Sequence, residues 1–218
     1  MRDVFLYIFK QKKEMKKSII VILVLVGLVL FIGVSMFFKA TGTYDKAVGY
    51  QETASQSWGN VEATYQRRMD LIPNLVSTVK GFAAQEKEVL IGVTEARASV
   101  GKVTVDANNL KPENIKAFQQ AQSGLTQALS KLMLVQERYP ELRSNQNFLQ
   151  LQAQLEGTEN RINVARQRYN GTVKEYNTFI RGFWKKMYLG WLAEEDEFVK
   201  KGMFEADKGA ENAPKVQF

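Results

Sequence analysis

Residues 18–38 read SIIVILVLVGLVLFIGVSMFF, an apolar run of 21 residues without a charge. At a rise of about 1.5 Å per residue, a helix of this length is roughly 30 Å long, which matches the hydrocarbon core of a bilayer. A helix also pairs its own backbone N–H and C=O groups, as the interior of a bilayer requires. The run is longer than the apolar region of about 7–15 residues in a cleaved signal peptide. We therefore predict one transmembrane helix that stays attached to the chain as a signal-anchor.

The charges that flank this run predict its direction. Residues 1–17 contain six basic and two acidic residues, whereas only Lys39 and Lys46 follow the run closely. Because basic residues concentrate on the cytoplasmic side of a membrane helix, residues 1–17 are predicted to be a basic cytoplasmic tail. Residues 39–218 then lie outside the cytoplasm, in the periplasm if the bacterium has two membranes. The expected location is the inner (cytoplasmic) membrane, with the lipid bilayer as one partner.

The composition argues against the common kinds of catalysis. The 218 residues include neither cysteine nor histidine. The chain therefore lacks a thiol nucleophile, the commonest zinc ligand and the usual general base near neutral pH. We expect a protein that is not an enzyme and that holds no cofactor or metal. Since much of the net charge of +7 comes from residues 1–17, the mixed charges of the remainder do not predict nucleic-acid binding.

From Tyr44 onward, apolar residues recur every three or four positions, which is typical of helices with one buried face. The clearest run consists of Phe148, Leu151, Leu155, Ile162, Ala165, Tyr169, Val173, Tyr176, Ile180 and Phe183. No stretch shows the sustained alternation of a strand. The predicted fold class is all-α: the transmembrane helix, then a long antiparallel (up-and-down) four-helix bundle over residues 39–192 and a C-terminal tail over residues 193–218.

Pro73 leaves the number of helices open. Proline inside a helix costs about 3 kcal/mol or more, unless it stands in the first turn. With Asp70 as N-cap, Pro73 would be the third residue of a separate second helix. Alternatively, one long helix is kinked at this point.

Many short motifs, in order along the chain, closely resemble the LemA family. They are residues 67–76 (RRMDLIPNLV), 79–83 (VKGFA), 86–90 (EKEVL), 93–97 (VTEAR), 139–142 (YPEL), 147–151 (NFLQL), 155–162 (LEGTENRI), 166–170 (RQRYN), 176–177 (YN) and 213–218 (APKVQF). The resemblance implies a bacterial protein with one N-terminal membrane helix and an antiparallel four-helix domain, and it favours four helices over three. It implies no reaction, ligand or catalytic residue. The stretch WKKMYLGWLAEEDEFVKKG at residues 184–202 is longer than in many members of the family.

Polar residues on the predicted helices form a candidate inter-helix network. Its members are Arg67, Arg68, Asp70, Arg97, Glu159, Arg166 and Asn170. Their matched donors and acceptors would fix helix register if every member were satisfied. The alternative is that the same residues bind an effector or partner. A di-iron site of the bundle type is not expected, because such sites need Glu-x-x-His pairs.

Two further segments are candidates for contacts outside the bundle. Aromatic rings beside lysines suit a membrane interface, and the candidate residues are Trp184, Lys185, Lys186, Tyr188 and Trp191. The alternative there is an ordinary core or self-association contact. At the C-terminus, Val216 and Phe218 are candidates for docking to an envelope protein that recognises an extended apolar end. The alternative is a tail that folds back onto its own domain or onto another subunit.

These features together predict a structural or interaction protein. We expect a membrane-anchored helical scaffold of the bacterial cell envelope that forms homo-oligomers. The first alternative is a membrane-tethered sensor or regulator that binds a ligand between its helices. The second is a hydrolase that uses the carboxylates of Glu156 and Glu159.

Overall fold

The computed structural model describes residues 2–206, with side chains from residue 19 onward, and this part of the chain is helical without a strand. The elements are α1 (Arg2–Phe82), α2 (Lys87–Gly101), α3 (Pro112–Leu134), a 3-10 turn (Val135–Arg138), α4 (Pro140–Arg143), α5 (Gln146–Ile180) and α6 (Phe183–Leu192). The predicted all-α class is confirmed.

α1 is one helix of 81 residues that contains the apolar run and continues into the bundle. The side chains of residues 19–34 are exposed and no other element covers them. This part of α1 is long and apolar enough to cross a membrane, which is consistent with a membrane anchor. The apolar run and the first helix of the bundle are therefore a single element without a break between them.

α1 also continues through Pro73. Of the two predicted alternatives, the structure therefore has one long helix, and no second helix begins beside Asp70. Proline has no N–H to donate to the carbonyl four residues earlier, which is that of Met69. In the structure, Arg97 of α2 reaches across, and its Nε donates a hydrogen bond of 3.2 Å to this oxygen. The arginine side chain thus replaces the backbone donor that proline lacks.

This replacement predicts an energetic coupling between the two residues. We expect Arg97→Ala to lower the free energy of unfolding by about 1 kcal/mol, because a partly buried carbonyl loses its donor. In a Pro73→Ala background the helix supplies its own N–H, and the same Arg97→Ala change is expected to cost clearly less. Guanidinium unfolding of the four variants of this cycle, in detergent micelles, measures the difference. Equal costs in both backgrounds would contradict the assignment.

Cross-helix contacts give the directions of α5 and α3 relative to α1. α5 is antiparallel to α1, because Arg68 contacts Glu159 whereas Gln51 contacts Tyr176. α3 is parallel to α1, since Phe118 packs on Tyr65 and Gln122 bonds Arg68.

The first core cluster joins α1, α2, α3 and α5, and its buried residues are Ile72, Leu75, Val79, Ala83, Leu90, Val93, Val100, Leu125, Leu129, Leu132, Val135, Leu142, Phe148 and Leu155.

The four-helix arrangement occupies only the half of the bundle that is far from the apolar run. α2 has 15 residues and α3 has 23, against 35 in α5. At about 1.5 Å per residue, the first two are too short to accompany α5 back to the apolar run. Nearer that run, α1 and α5 are joined by α6 and by Phe198, in a separate cluster around Ala47, Tyr176, Phe179, Ile180 and Leu189.

Candidate functional site

Residues 199–206, which we call the extended segment, lie against α5 and are held there by two asparagine side chains. Asn177 Nδ2 donates to the carbonyl of Lys201, and Lys201 N–H donates back to Asn177 Oδ1, both at 2.9 Å. Asn170 makes the same pair of bonds with Phe204, again both at 2.9 Å. Each amide side chain therefore pairs with the N–H and the C=O of one residue in an extended backbone.

The spacing of these bonds follows from the geometry of the two elements. Asn170 and Asn177 are seven residues apart, which is about 10.5 Å along a helix. Lys201 and Phe204 are three residues apart, which is about 10 Å along an extended chain. Because the two repeats match, one face of α5 pairs with the extended segment at successive positions. The segment runs antiparallel to α5 and parallel to α1.

Two tyrosines beside the asparagines add a second row of bonds with the same repeat. Tyr176 Oη donates to the carbonyl of Val199 at 3.1 Å, and Tyr169 Oη donates to that of Gly202 at 3.0 Å. Burial raises the pKa of Tyr176 from 10.0 to about 12, with a smaller effect from the charge of Glu197. Burial also raises the pKa of Tyr169. Both hydroxyls are therefore protonated donors at neutral pH.

These raised pKa values predict a loss of stability at alkaline pH. An unfolded chain releases the Tyr176 proton near pH 10, whereas the folded chain keeps it until about pH 12. The folded state therefore binds more protons between these values, and the free energy of unfolding is expected to fall as pH rises through this window. Unfolding experiments at a series of pH values from 8 to about 12 measure the fall. Tyr176→Phe removes the titration of this residue, so an unchanged slope in that variant would contradict the explanation.

Groups on α3 and on the loop before it close the other side of the extended segment. Gln119 exchanges two hydrogen bonds with the backbone of Glu205, at 2.9 and 3.1 Å. Gly202 N–H donates to the carbonyl of Leu110 at 2.7 Å. Arg166 donates to the carbonyl of Glu205, and its guanidinium lies 5.0 Å from the centre of the Phe204 ring. The segment is thus enclosed by α5, α3 and the loop that joins α2 to α3.

Gly202 lies where no side chain fits. A Cβ on Gly202 would stand 2.7 Å from Pro112 Cα and 3.0 Å from the side chain of Ile115. We expect Gly202→Ala to push the segment off α3 and to cost about 1–3 kcal/mol, as overpacking typically does. Gly171 is the matched control: it has open space around its Cα, so Gly171→Ala should be neutral or stabilise α5 by up to about 1 kcal/mol. Thermal unfolding of both variants tests this, and equal effects would contradict it.

Arg68 forms a second polar centre, in the interior between α1, α3 and α5. Only 1% of its surface is exposed. Nη1 donates to Glu159 Oε1 at 2.7 Å and to Thr126 Oγ1 at 3.0 Å, while Nη2 donates to Gln122 Oε1. The guanidinium also lies 5.0 Å from the centre of the Tyr65 ring. One buried charge therefore ties three helices together at one level.

An aromatic cluster separates this centre from the extended segment. The Trp58 ring packs against Phe118 at 5.1 Å, Tyr169 at 5.6 Å and Phe204 at 6.1 Å between centroids. Phe204 is thus the residue through which the extended segment enters the core. Trp58 Nε1 is buried without a hydrogen-bond partner among the described residues.

The structure divides the predicted polar network among separate places. Arg68 and Glu159 meet in the interior, Arg97 bonds Met69, and Arg166 and Asn170 bind the extended segment. Arg67 and Asp70 are exposed on α1. Within residues 19–206, the bond that Asp70 accepts is a local one, from Gln66. The seven residues therefore do not form one connected network.

The other predicted residues have different outcomes. Trp184, Lys185, Lys186, Tyr188 and Trp191 all lie on α6. Val216 and Phe218 lie outside the described residues, so their docking stays a prediction. Within residues 19–206, no three acidic side chains are grouped so that they could hold a metal ion. Glu156 bonds Gln152 of its own helix, away from the Arg68–Glu159 pair.

Several residues that hold the extended segment were missed by sequence reasoning. They are Gln119, Tyr169, Tyr176 and Asn177, which make hydrogen bonds to the segment. Sequence reasoning also missed Gln122 and Thr126, which are hydrogen-bond partners of Arg68. One signal was present in the sequence: the pair Tyr-Asn occurs at 169–170 and again at 176–177. A repeat of seven residues on a helix indicates a shared face, but nothing in it says that an extended chain lies there.

Comparison with known proteins agrees with the motifs. The sequence model of the LemA family matches residues 57–218. Protein LemA of Metamycoplasma hominis is 21% identical over 180 residues, covering 83% of this chain and 76% of that protein. Magnetosome protein MamQ 2 of Paramagnetospirillum magneticum is 26% identical over 171 residues. That match covers 68% of this chain but only 61% of the magnetosome protein. Since the family model covers most of the sequence, including the extended segment and the helices that hold it, the chain belongs to the LemA family.

Proposed function

We propose that this chain is a membrane-anchored scaffold of the bacterial cell envelope, which carries a helical bundle at a fixed distance from the bilayer and associates with further copies of itself. The observation that carries the proposal is the continuity of α1 from the apolar run to Phe82. The 44 residues after position 38 span about 66 Å as a helix. A rod of this kind holds whatever binds its far end away from the lipid surface.

The charges around the apolar run support an orientation with the bundle outside the cytoplasm. Six basic residues precede the run within residues 1–17. An excess of lysine and arginine marks the cytoplasmic flank of a membrane helix. The proposed scaffold therefore extends from the cytoplasmic membrane into the envelope.

The far end of the bundle supports a role in protein contacts. Large apolar side chains remain exposed where α1 and α3 end and near where α2 and α5 begin, namely Phe82, Leu134, Ile91 and Leu149. Exposed apolar groups gathered at one end of a protein favour a site of association. Neighbouring copies anchored in the same membrane carry this end at the same height. Side-by-side self-association through this end is therefore the contact we propose.

Introduced cysteines test this proposal without background, because the natural chain has no cysteine. Leu134→Cys lies at the far end, and Gln154→Cys lies on the exposed side of α5 as a control. We expect oxidation of native membranes to cross-link copies through Leu134→Cys much more than through Gln154→Cys. A membrane-impermeant maleimide should label Leu134→Cys only from outside the cytoplasmic membrane. Monomers alone at both positions would contradict self-association, and labelling from the cytoplasmic side would contradict the orientation.

A further inference from the structure

α6 leaves most of its large side chains uncovered. Phe183 is 78% exposed, Trp184 61% and Trp191 62%, and Leu192 is exposed as well. Leu189 is the buried residue of this helix and contacts the cluster around Ala47. The exposed rings are ordered against one another: Phe183 packs on Trp184 at 5.2 Å, and Tyr188 on Trp191 at 6.1 Å. A helix of ten residues therefore presents an aromatic surface that no described part of the chain covers.

The position of α6 along α1 shows what surrounds that surface. α5 ends near Ala47, with which Phe179 and Ile180 form a cluster. α6 continues along α1 beyond this point, and α1 has a matching stripe of covered residues at Met36, Ala40, Tyr44 and Ala47. Met36 belongs to the uncharged run of residues 18–38. α6 thus lies beside the last turns of the apolar run and the first turns after it.

The charges around α6 indicate which force acts there. Lys185 and Lys186 are exposed, and Lys39 follows the apolar run on α1. Glu194, Glu195, Asp196 and Glu197 come directly after α6. Glu197 is already engaged, because it accepts a hydrogen bond of 2.6 Å from Tyr44 Oη. These three lysines stand near four acidic residues, so the charges do not favour attraction to anionic lipid, and the aromatic surface supplies the main force.

We propose that α6 is a second membrane contact, inserted at the headgroup level of the leaflet from which α1 emerges, with Phe183, Trp184 and Trp191 as the inserted side chains. Tryptophan prefers this depth of a bilayer because its ring carries a polar N–H, and Phe183 packs on Trp184 beside it. Lipid is the molecule that covers the aromatic surface of α6, because the bilayer surrounds α1 at this height whether or not other copies of the chain are near. This inference rests on the anchor of the proposed function. Its consequence is that the rod is held at two points and cannot tilt freely.

The three tryptophans of the chain make the test direct. Trp58 is 1% exposed and lies twenty residues beyond position 38, or about 30 Å along α1 from the end of the apolar run. The full chain is reconstituted in phosphatidylcholine bilayers that contain lipids brominated near the glycerol end or near the methyl end of the acyl chain. Bromine quenches only tryptophans that it can approach. W184F, W191F and the double variant assign the signal to single positions and keep an aromatic ring at each.

We expect shallow bromines to remove most of the Trp184 and Trp191 fluorescence, deep bromines to remove less, and neither to affect Trp58 in the double variant. Replacing part of the lipid with an anionic one should leave the quenching unchanged. If Trp184 and Trp191 are quenched no more than Trp58 while the chain floats with the vesicles, the inference is wrong although the anchor holds. A chain that does not float with vesicles overturns the anchor, and with it both the proposed function and this inference.

Discussion

Replacing Arg68 with alanine is expected to lower the free energy of unfolding by about 3–5 kcal/mol, because a large and almost fully buried side chain with several polar partners is removed. The change leaves Glu159, Gln122 and Thr126 without their common donor and opens a cavity between three helices. Glu159 and Thr126 keep access to water, so most of the cost comes from the buried Gln122 and from the lost packing. Arg68→Met fills the cavity and should recover part of the loss.

Arg67 provides the matched control for this prediction, since it is the same residue type one position earlier but exposed on α1. Arg67→Ala should change stability by no more than about 0.5 kcal/mol. Guanidinium unfolding of the full chain in detergent micelles, followed by the fluorescence of Trp58 in a W184F/W191F background, compares the two. Similar costs for both arginines would show that Arg68 does not hold the bundle together.

Removing both asparagines that hold the extended segment should release residues 199–206 from α5. Asn170→Ala and Asn177→Ala together eliminate four hydrogen bonds and leave the backbone groups of Lys201 and Phe204 without partners. Each buried group that loses its partner costs about 1–3 kcal/mol. We therefore expect the double change to cost more free energy than the remaining contacts of the segment contribute. Once Phe204 leaves the core, Trp58 loses one of its ring neighbours. The first core cluster, in the far half of the bundle, contains no residue of the segment, so that half should stay folded.

Trypsin measures the release, because Lys200 and Lys201 lie at the start of the segment. In the natural chain the buried Lys201 is protected, whereas the double variant should be cut there rapidly. Hydrogen exchange of the Lys201 and Phe204 amides should accelerate in parallel. Asn160→Ala, on an exposed position of α5, is the control and should change neither rate. Protection that survives in the double variant would mean that packing alone holds the segment.

The helical part of this protein was predictable from local pattern. An uncharged run of bilayer length predicts the apolar part of α1, and apolar residues at steps of three and four predict the buried face of α5. The core residues Leu155, Ile162 and Tyr169 indeed lie on that face. The polar sites were predicted less well, because residue type names a donor or acceptor without naming its partner. Arg97 was assigned to a network, yet it bonds the one carbonyl that Pro73 leaves without a donor.

The sequence by itself determined the apolar helix of bilayer length, the all-α class and the family, because these depend on composition, on short periodicities and on motifs in order along the chain. Only the tertiary structure decided that α1 passes through Pro73, that Arg68 joins α1 to α3 and α5, and that Asn170 and Asn177 hold an extended chain. Each of these depends on groups that lie 24 to 91 residues apart in the sequence. Such contacts come from the packing of helices of unequal length. α2 ends and α3 begins before the apolar run is reached, and beyond that level the polar face of α5 packs against the returning chain.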